Sequence, residues 1–158
     1  MKLFQICLLA ITLVCSTTAY ADQTVTIHTP EIKNPRVKEL SRKNRIPILA
    51  LGPLLIRAQE AEVPLLGGDK IGPRPVDFHI GGLEKLGAEI EITETCFRAR
   101  TSGLRGASIT LAYPSVGATQ NILLASVLAE GRTMVLNAAL EPEIIDLIIG
   151  RTITREAI

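Results

Sequence analysis

The stretch Val76-Asp-Phe-His-Ile-Gly-Gly-Leu-Glu-Lys-Leu-Gly87, followed by Glu89-Ile-Glu-Ile-Thr93 and Cys96-Phe-Arg-Ala-Arg100, changes its hydrophobic period part-way along. The first part spaces its apolar side chains as a helix does and stops at a glycine, the residue best suited to the left-handed turn that ends a helix. It predicts a helix from Val76 to Leu86. The two runs after it alternate apolar and polar residues, as half-buried strands joined by a tight turn do. Upstream, Pro47 to Ala58 reads as an apolar helix and Ala61 to Leu66 as a strand. The whole is a βαβαββ unit whose opening strand is weakly marked.

The same succession recurs on both sides. The β-rich runs Thr24-Val-Thr-Ile-His28, Glu62-Val-Pro-Leu-Leu66 and Arg132-Thr-Met-Val-Leu136 each lead through a proline, Pro30, Pro75 or Pro142, into an amphipathic segment. Val76-Asp-Phe-His-Ile80 and Ile145-Asp-Leu-Ile-Ile149 share the pattern apolar, Asp, apolar, any, Ile. The last copy opens with a strand over Ala107 to Ala112, continues through a helix from Gly117 to Ala129, and reaches Glu143 to Ile149 before its final strands are due. Arg151 to Ile158 is expected to supply one short strand with an unpaired edge. A single unit cannot bury both faces of its sheet, so helices pack on helices with the sheets outermost. The fold class is therefore α/β, an incomplete inside-out lobe of βαβαββ repeats. An apolar segment over 1–23, a partial lobe over 24–150 and a tail over 151–158 make up the chain.

Composition narrows the function. Among 158 residues, 17 Lys and Arg against 16 Asp and Glu leave a net charge of +1, and there are no Trp, 2 Tyr and 3 Phe. Neither the basic field nor the stacking platform that a nucleic acid needs is present. Cys7, Cys15, Cys96, His28 and His79 are too scattered for a metal-ligand spacing or a disulfide framework, so no metal and no cofactor are expected. Met1 to Ala21 has the charged start, apolar middle and small-residue end of a secretory signal, with a core helix feeding the Thr24 strand as the rival reading. Its apolar run is shorter than the ~20 residues that span a bilayer.

Two strand-to-helix loops contain the residues suited to chemistry. Gly67-Gly-Asp-Lys-Ile-Gly-Pro-Arg-Pro75 holds one acid and two cations at a helix start, where anions bind favourably; it reads also as an ordinary turn. Tyr113-Pro-Ser-Val-Gly-Ala-Thr119 places Ser115 to cap the next helix, with backbone N–H groups open to a phosphate or simply satisfied by the cap. Arg45 is either an anion ligand or a solvated flank. His79, between Phe78 and Ile80, and Cys96, in an alternating strand, read as packing residues.

Gly67 to Ile80, Gly82 to Ile90, Pro114 to Ile122 and Glu141 to Asp146, in that order, resemble the UDP-N-acetylglucosamine 1-carboxyvinyltransferase family of enolpyruvyl transferases, which open peptidoglycan synthesis. The resemblance runs from about Thr24 to Asp146 and covers much of one of the family's two lobes, each built of three βαβαββ units. It implies phosphoenolpyruvate and UDP-N-acetylglucosamine as substrates, with Arg45 and Arg74-Pro75-Val76-Asp77-Phe78 against the UDP-sugar and Arg74 also near the phosphoenolpyruvate phosphate. Tyr113-Pro114-Ser115-Val116, followed by Gly117, is implied to hold the nucleotide. Guanidinium forks and helix starts suit such multiply charged ligands.

Asp69 stands where the family has its catalytic cysteine, the acid that protonates the enol carbon as the sugar hydroxyl adds. Some members use Asp there. An aspartate is a donor at neutral pH only if burial or substrate anions raise its pKa, and as a poorer nucleophile than a thiolate it implies insensitivity to fosfomycin-type epoxides.

Three departures bear on activity. The Lys-Asn pair that anchors phosphoenolpyruvate is absent near Leu8-Leu9, the chain skips from Val37 into Lys38 to Arg45 where further strands are due, and the family's frequent Lys is Tyr113 here. No counterpart of the second lobe, which closes over the site, is expected within these residues. These features predict a partial site wall, inactive alone, that associates with a missing second lobe. A non-catalytic UDP-sugar module and a gene relic are the other readings. Cytosolic substrates point to the cytoplasm, with export through the signal-like segment as the alternative.

Overall fold

A computed structural model describes residues 18–19, 25–26, 28–37, 46–65 and 76–155. Strands β1 (Thr18–Ala19) and β2 (Val25–Thr26) form a small antiparallel pair, so the described part of the segment over 1–23 is extended. A 3-10 turn, Ile46–Ala50, leads into α1 (Leu51–Ala58) and β3 (Glu60–Pro64). Then follow α2 (Asp77–Lys85), β4 (Glu89–Ile92) and β5 (Cys96–Arg100), matching the expected unit to within a residue or two. The last part comprises β6 (Ser108–Thr110), α3 (Val116–Ser126), β7 (Met134–Leu136) and α4 (Pro142–Arg155).

The middle sheet has the order β3-β5-β4, antiparallel throughout. Where the weakly marked opening strand is expected, Pro35 to Val37 adds only an isolated bridge at the β3 edge. Arg36 bridges Glu62 in parallel, with Val37 N–H donating to the Glu62 carbonyl at 2.8 Å and Glu62 N–H to the Pro35 carbonyl at 3.1 Å. Alternation gives this sheet two faces. Ala61, Val63, Phe97 and Ala99 point inward and are buried. On the outer face the register sets Arg98 opposite Glu62 and Glu91, and Arg100 opposite Glu60 and Glu89, so unlike charges face across the strands. The Arg98 and Arg100 pairs with Glu62 and Glu89 close to 3.3 and 2.7 Å. The hydrogen bond to Glu62 holds the Arg98 guanidinium above its ordinary range.

Helices fill the interior. Leu51, Leu54 and Leu55 of α1, Leu83 of α2 and Ala118, Ile122 and Ala125 of α3 are all buried in one cluster with the inner sheet face. Each leucine buried this way contributes roughly 1.5–3 kcal/mol. The α2–α3 approach is close because Gly82 has no side chain: the Ile122 side chain occupies the space that a Cβ would need. Gly87, at φ 97°, turns the chain out of α2 as expected of a helix-ending glycine.

The third unit is open. β6 and β7 pair in parallel, extended by an Arg105–Glu130 bridge, and carry no further strand among the described residues. The strand expected over 151–158 does not form where the chain is described: α4 runs on through Arg155. Thr152-Ile-Thr154 is β-branched, which favours strand, but a strand needs a partner edge whereas a helix satisfies its backbone locally. The helix expected to reach Ala129 ends at Ser126. Among the described residues no helix is long and apolar enough to cross a membrane.

Candidate functional site

The starts of three helical segments meet at one end of the core. The 3-10 turn brings Leu49 there, α2 brings His79 and α3 brings Gly117: a Cβ at Gly117 would stand 3.1 Å from His79 Cε1, 3.3 Å from His79 Nε2 and 4.0 Å from Leu49 Cδ2. Two of the sequence-predicted segments, Val76–Phe78 and Tyr113–Gly117, are thereby adjacent although almost forty residues apart. Helix N-termini present unpaired N–H groups and partial positive charge, so a shared end of this kind is a place for an anionic ligand.

Each predicted residue within the described range has a definite place. Val76 precedes α2 with φ −105° and ψ 4° and offers no side-chain cap; its carbonyl accepts from the His79 and Ile80 N–H groups at 2.9 and 3.0 Å. Asp77 is exposed in the first turn, where its charge suits the helix dipole. Phe78 is half-buried against the core cluster. Tyr113, 64% exposed, and Pro114 stand out into solvent ahead of α3. Ser115 is the N-cap of α3, its Oγ accepting from Ala118 N–H at 3.3 Å. The cap occupies its hydroxyl, while half-buried Val116 and Gly117 form the first turn. Arg45, Asp69, Arg74 and Pro75 lie outside the described residues. Arg45 and the Arg74-Pro75 pair directly precede Ile46 and Val76, where the described chain enters this end of the core.

The Tyr113 loop is anchored from the far side. Leu111 N–H donates to the Leu136 carbonyl at 3.1 Å and the Leu111 carbonyl accepts from Asn137 Nδ2 at 2.9 Å. Asn137 holds φ 56°, a left-handed conformation that asparagine tolerates better than most residues. Two residues on, Ala139 N–H donates at 3.1 Å to the hydroxyl of Thr119, which is wholly buried in α3.

Sequence reasoning missed Thr119 and Asn121, the polar members of the buried face of α3. The signal was present: Ala118, Asn121, Ile122 and Ala125 share one helical stripe, and a polar residue in such a stripe is buried only with partners. His79, 6% exposed, and Cys96, likewise buried, sit in packed surroundings. A concavity of about 610 Å³ lies elsewhere, on the outer face of the middle sheet among Arg36, Glu60, Glu62, Glu91, Arg98 and Arg100. Two of its guanidiniums are already engaged, Arg98 with Glu62 and Arg100 with Glu89, so the helix-start end is the better candidate. Among the described residues no group of three or more His, Cys, Asp or Glu could hold a metal ion.

Residues 8–149 match the family profile described as EPSP synthase (3-phosphoshikimate 1-carboxyvinyltransferase). The chain belongs to that family. Within the EPSP synthase family it is 58% identical over 130 residues to the UDP-N-acetylglucosamine 1-carboxyvinyltransferase of Chlamydia trachomatis serovar D, an alignment covering 80% of this chain and 29% of the relative. It is 47% identical over 129 residues to UDP-N-acetylglucosamine 1-carboxyvinyltransferase 2 of Carboxydothermus hydrogenoformans, covering 81% of this chain and 31% of that one. The fold agrees: the enolpyruvyl transferase NikO of Streptomyces tendae superposes with a TM-score of 0.68 at 15% identity, over 88% of this chain and 33% of that one. EPSP synthase from Acinetobacter baumannii superposes at 0.55 and 22% identity, over 87% and 32%. The chain thus spans about three-tenths of the length of the relatives it matches. It is an incomplete α/β domain of the enolpyruvyl transferase fold.

Proposed function

We propose that this chain forms one wall of a UDP-N-acetylglucosamine 1-carboxyvinyltransferase site, binding the sugar nucleotide and, alone, not turning it over. The observation that carries the reading is the contact of His79 with Gly117, which joins the start of α2 to the start of α3. Arg45 and Arg74, which precede Ile46 and Val76 in sequence, supply the guanidinium forks for the diphosphate in this reading. Val76–Phe78 with Pro75 contact the sugar, and Tyr113–Gly117 hold the nucleotide, the backbone N–H groups of Val116 and Gly117 facing its negative charge.

In the complete reaction Asp69 donates a proton to the enol carbon of phosphoenolpyruvate while the sugar 3-hydroxyl, giving up its own proton, adds at the neighbouring carbon. The saturated adduct then loses phosphate from that carbon and a proton from the new methyl group, which re-forms the double bond of the enolpyruvyl ether. That step requires the opposite wall, which excludes water and raises the Asp69 pKa. The exposed apolar side chains of Leu140, Ile145 and Ile149, 82%, 48% and 55% accessible, support association with a second lobe. Peptidoglycan synthesis in the cytoplasm, where both substrates are made, is the setting this reading assigns.

Calorimetric titration of the 158-residue chain with UDP-N-acetylglucosamine tests the proposal. Saturable binding that Arg45→Ala and Arg74→Ala each weaken, together with no phosphate release from phosphoenolpyruvate, is expected. A wild-type chain that releases no heat at any ligand concentration defeats the reading, and sustained phosphate release defeats the claim of inactivity.

A further inference from the structure

Asn121 lies wholly buried in the middle of α3 and uses its carboxamide in three directions. Gly52 N–H donates to Oδ1 at 3.0 Å. Nδ2 donates to the Ile48 carbonyl, also at 3.0 Å, and stands 3.3 Å from His79 Nδ1. The first two contacts fix the amide: a backbone N–H must meet the oxygen, and a backbone carbonyl must meet the NH₂ group. The third then has one possible polarity. An amide nitrogen cannot accept, so a hydrogen bond at this contact requires His79 Nδ1 to accept, and with it a neutral ring whose proton is on Nε2. That Nε2 edge is the one lying against Gly117, where an added Cβ would come within 3.3 Å.

The oxygen has a second role. Gly52 is the second residue of α1, whose N-cap residue Ala50 makes no side-chain hydrogen bond, so Asn121 satisfies an N–H of the first turn from a neighbouring helix. The approach is close enough that a Cβ on Gly52 would stand 2.6 Å from both the Asn121 carbonyl oxygen and Oδ1. One carboxamide therefore ties the 3-10 turn, α1 and the α2 histidine to α3.

We propose that Asn121 is a positioning residue of the ligand site: by holding His79 as the Nε2–H tautomer against Gly117, it sets the spacing of the helix starts that carry the sugar-nucleotide contacts. The inference rests on the proposed function and deepens it. Asn121 does not itself reach ligand.

The chain has two histidines, so a His28→Gln background leaves one imidazole for a long-range ¹H–¹⁵N spectrum. The Nε2–H tautomer is expected in the otherwise wild-type chain, and an Nδ1–H or averaged ring overturns the inference without recourse to any further variant. Asn121→Asp keeps the acceptor for Gly52 but cannot donate to Nδ1, so the ring is expected to move to Nδ1–H or to imidazolium. Affinity for UDP-N-acetylglucosamine should fall about tenfold at a temperature where amide spectra show both proteins folded. Asn121→Ser, which also loses the Nδ2 donor, serves if the aspartate variant does not fold, with the same loss of affinity expected. Equal affinity in wild type and a folded variant overturns this inference and leaves the functional reading intact. A wild type that does not bind overturns both.

Discussion

Val76–Ile80 in the middle unit and Ile145–Ile149 in the last have the same sequence pattern and opposite fates. In the first, the polar member His79 is 6% exposed; in the second, its apolar counterpart Ile148 is 48% exposed. Side-chain polarity does not explain this. The middle segment is covered by α3 on one side and belongs to a unit whose sheet is closed by β4 and β5, while the last lies beside a two-stranded sheet with nothing further on it among the described residues. Position within the helix differs as well: Asp77 opens α2, whereas Asp146 sits a full turn inside α4. Burial is a property of the neighbours an element acquires, and a repeated sequence acquires them only where the repeat is completed.

The difference should be visible as stability. Leu83→Ala removes a side chain with no exposure from the helix interface and is expected to cost about 2–5 kcal/mol, read from the urea midpoint. A cost as small as that of Ile148→Ala, expected within about 0.5 kcal/mol, would break the comparison. Asn137 sharpens it, because the Tyr113 loop is anchored to the open unit. Asn137→Ala loses the hydrogen bond to Leu111 and leaves alanine at φ 56°, for about 1–2 kcal/mol together. Asn137→Gly keeps the backbone geometry and should recover part of that loss. Ser115→Ala removes the α3 cap for about 1 kcal/mol, with Ser115→Gly costing less. The smallest stability effect belongs to Leu140→Ser with Ile149→Ser on the open face. Both side chains are largely solvated, so the midpoint should stay within about 0.5 kcal/mol, while sedimentation velocity should show less self-association. Unchanged association would mean that this face is not the adhesive one.

Much of the fold was legible because its signals are local. The Gly87 stop, the alternation over Glu89–Arg100 and the Ser115 cap depend on neighbours one to four residues away. The strand expected over 151–158 failed for the opposite reason: whether Thr152-Ile-Thr154 extends depends on an edge to pair with, which no local pattern encodes. Pro35–Val37 shows the reverse case. Its sequence is poor as a strand, yet the β3 edge recruits it through two hydrogen bonds at Glu62.

The site divides along the same line. The residues alone determined that a Gly- and Pro-rich segment and a Ser-capped segment each lead into a helix, because backbone freedom and capping are properties of a few consecutive residues. Only the tertiary structure decided that those two helix starts share one end of the core, and that Asn121 and His79 hold them there. Asn121 reaches Gly52 across 69 positions and Ile48 across 73. A buried polar group takes whatever partners packing brings within about 3 Å, so its role exists only once the helices have met.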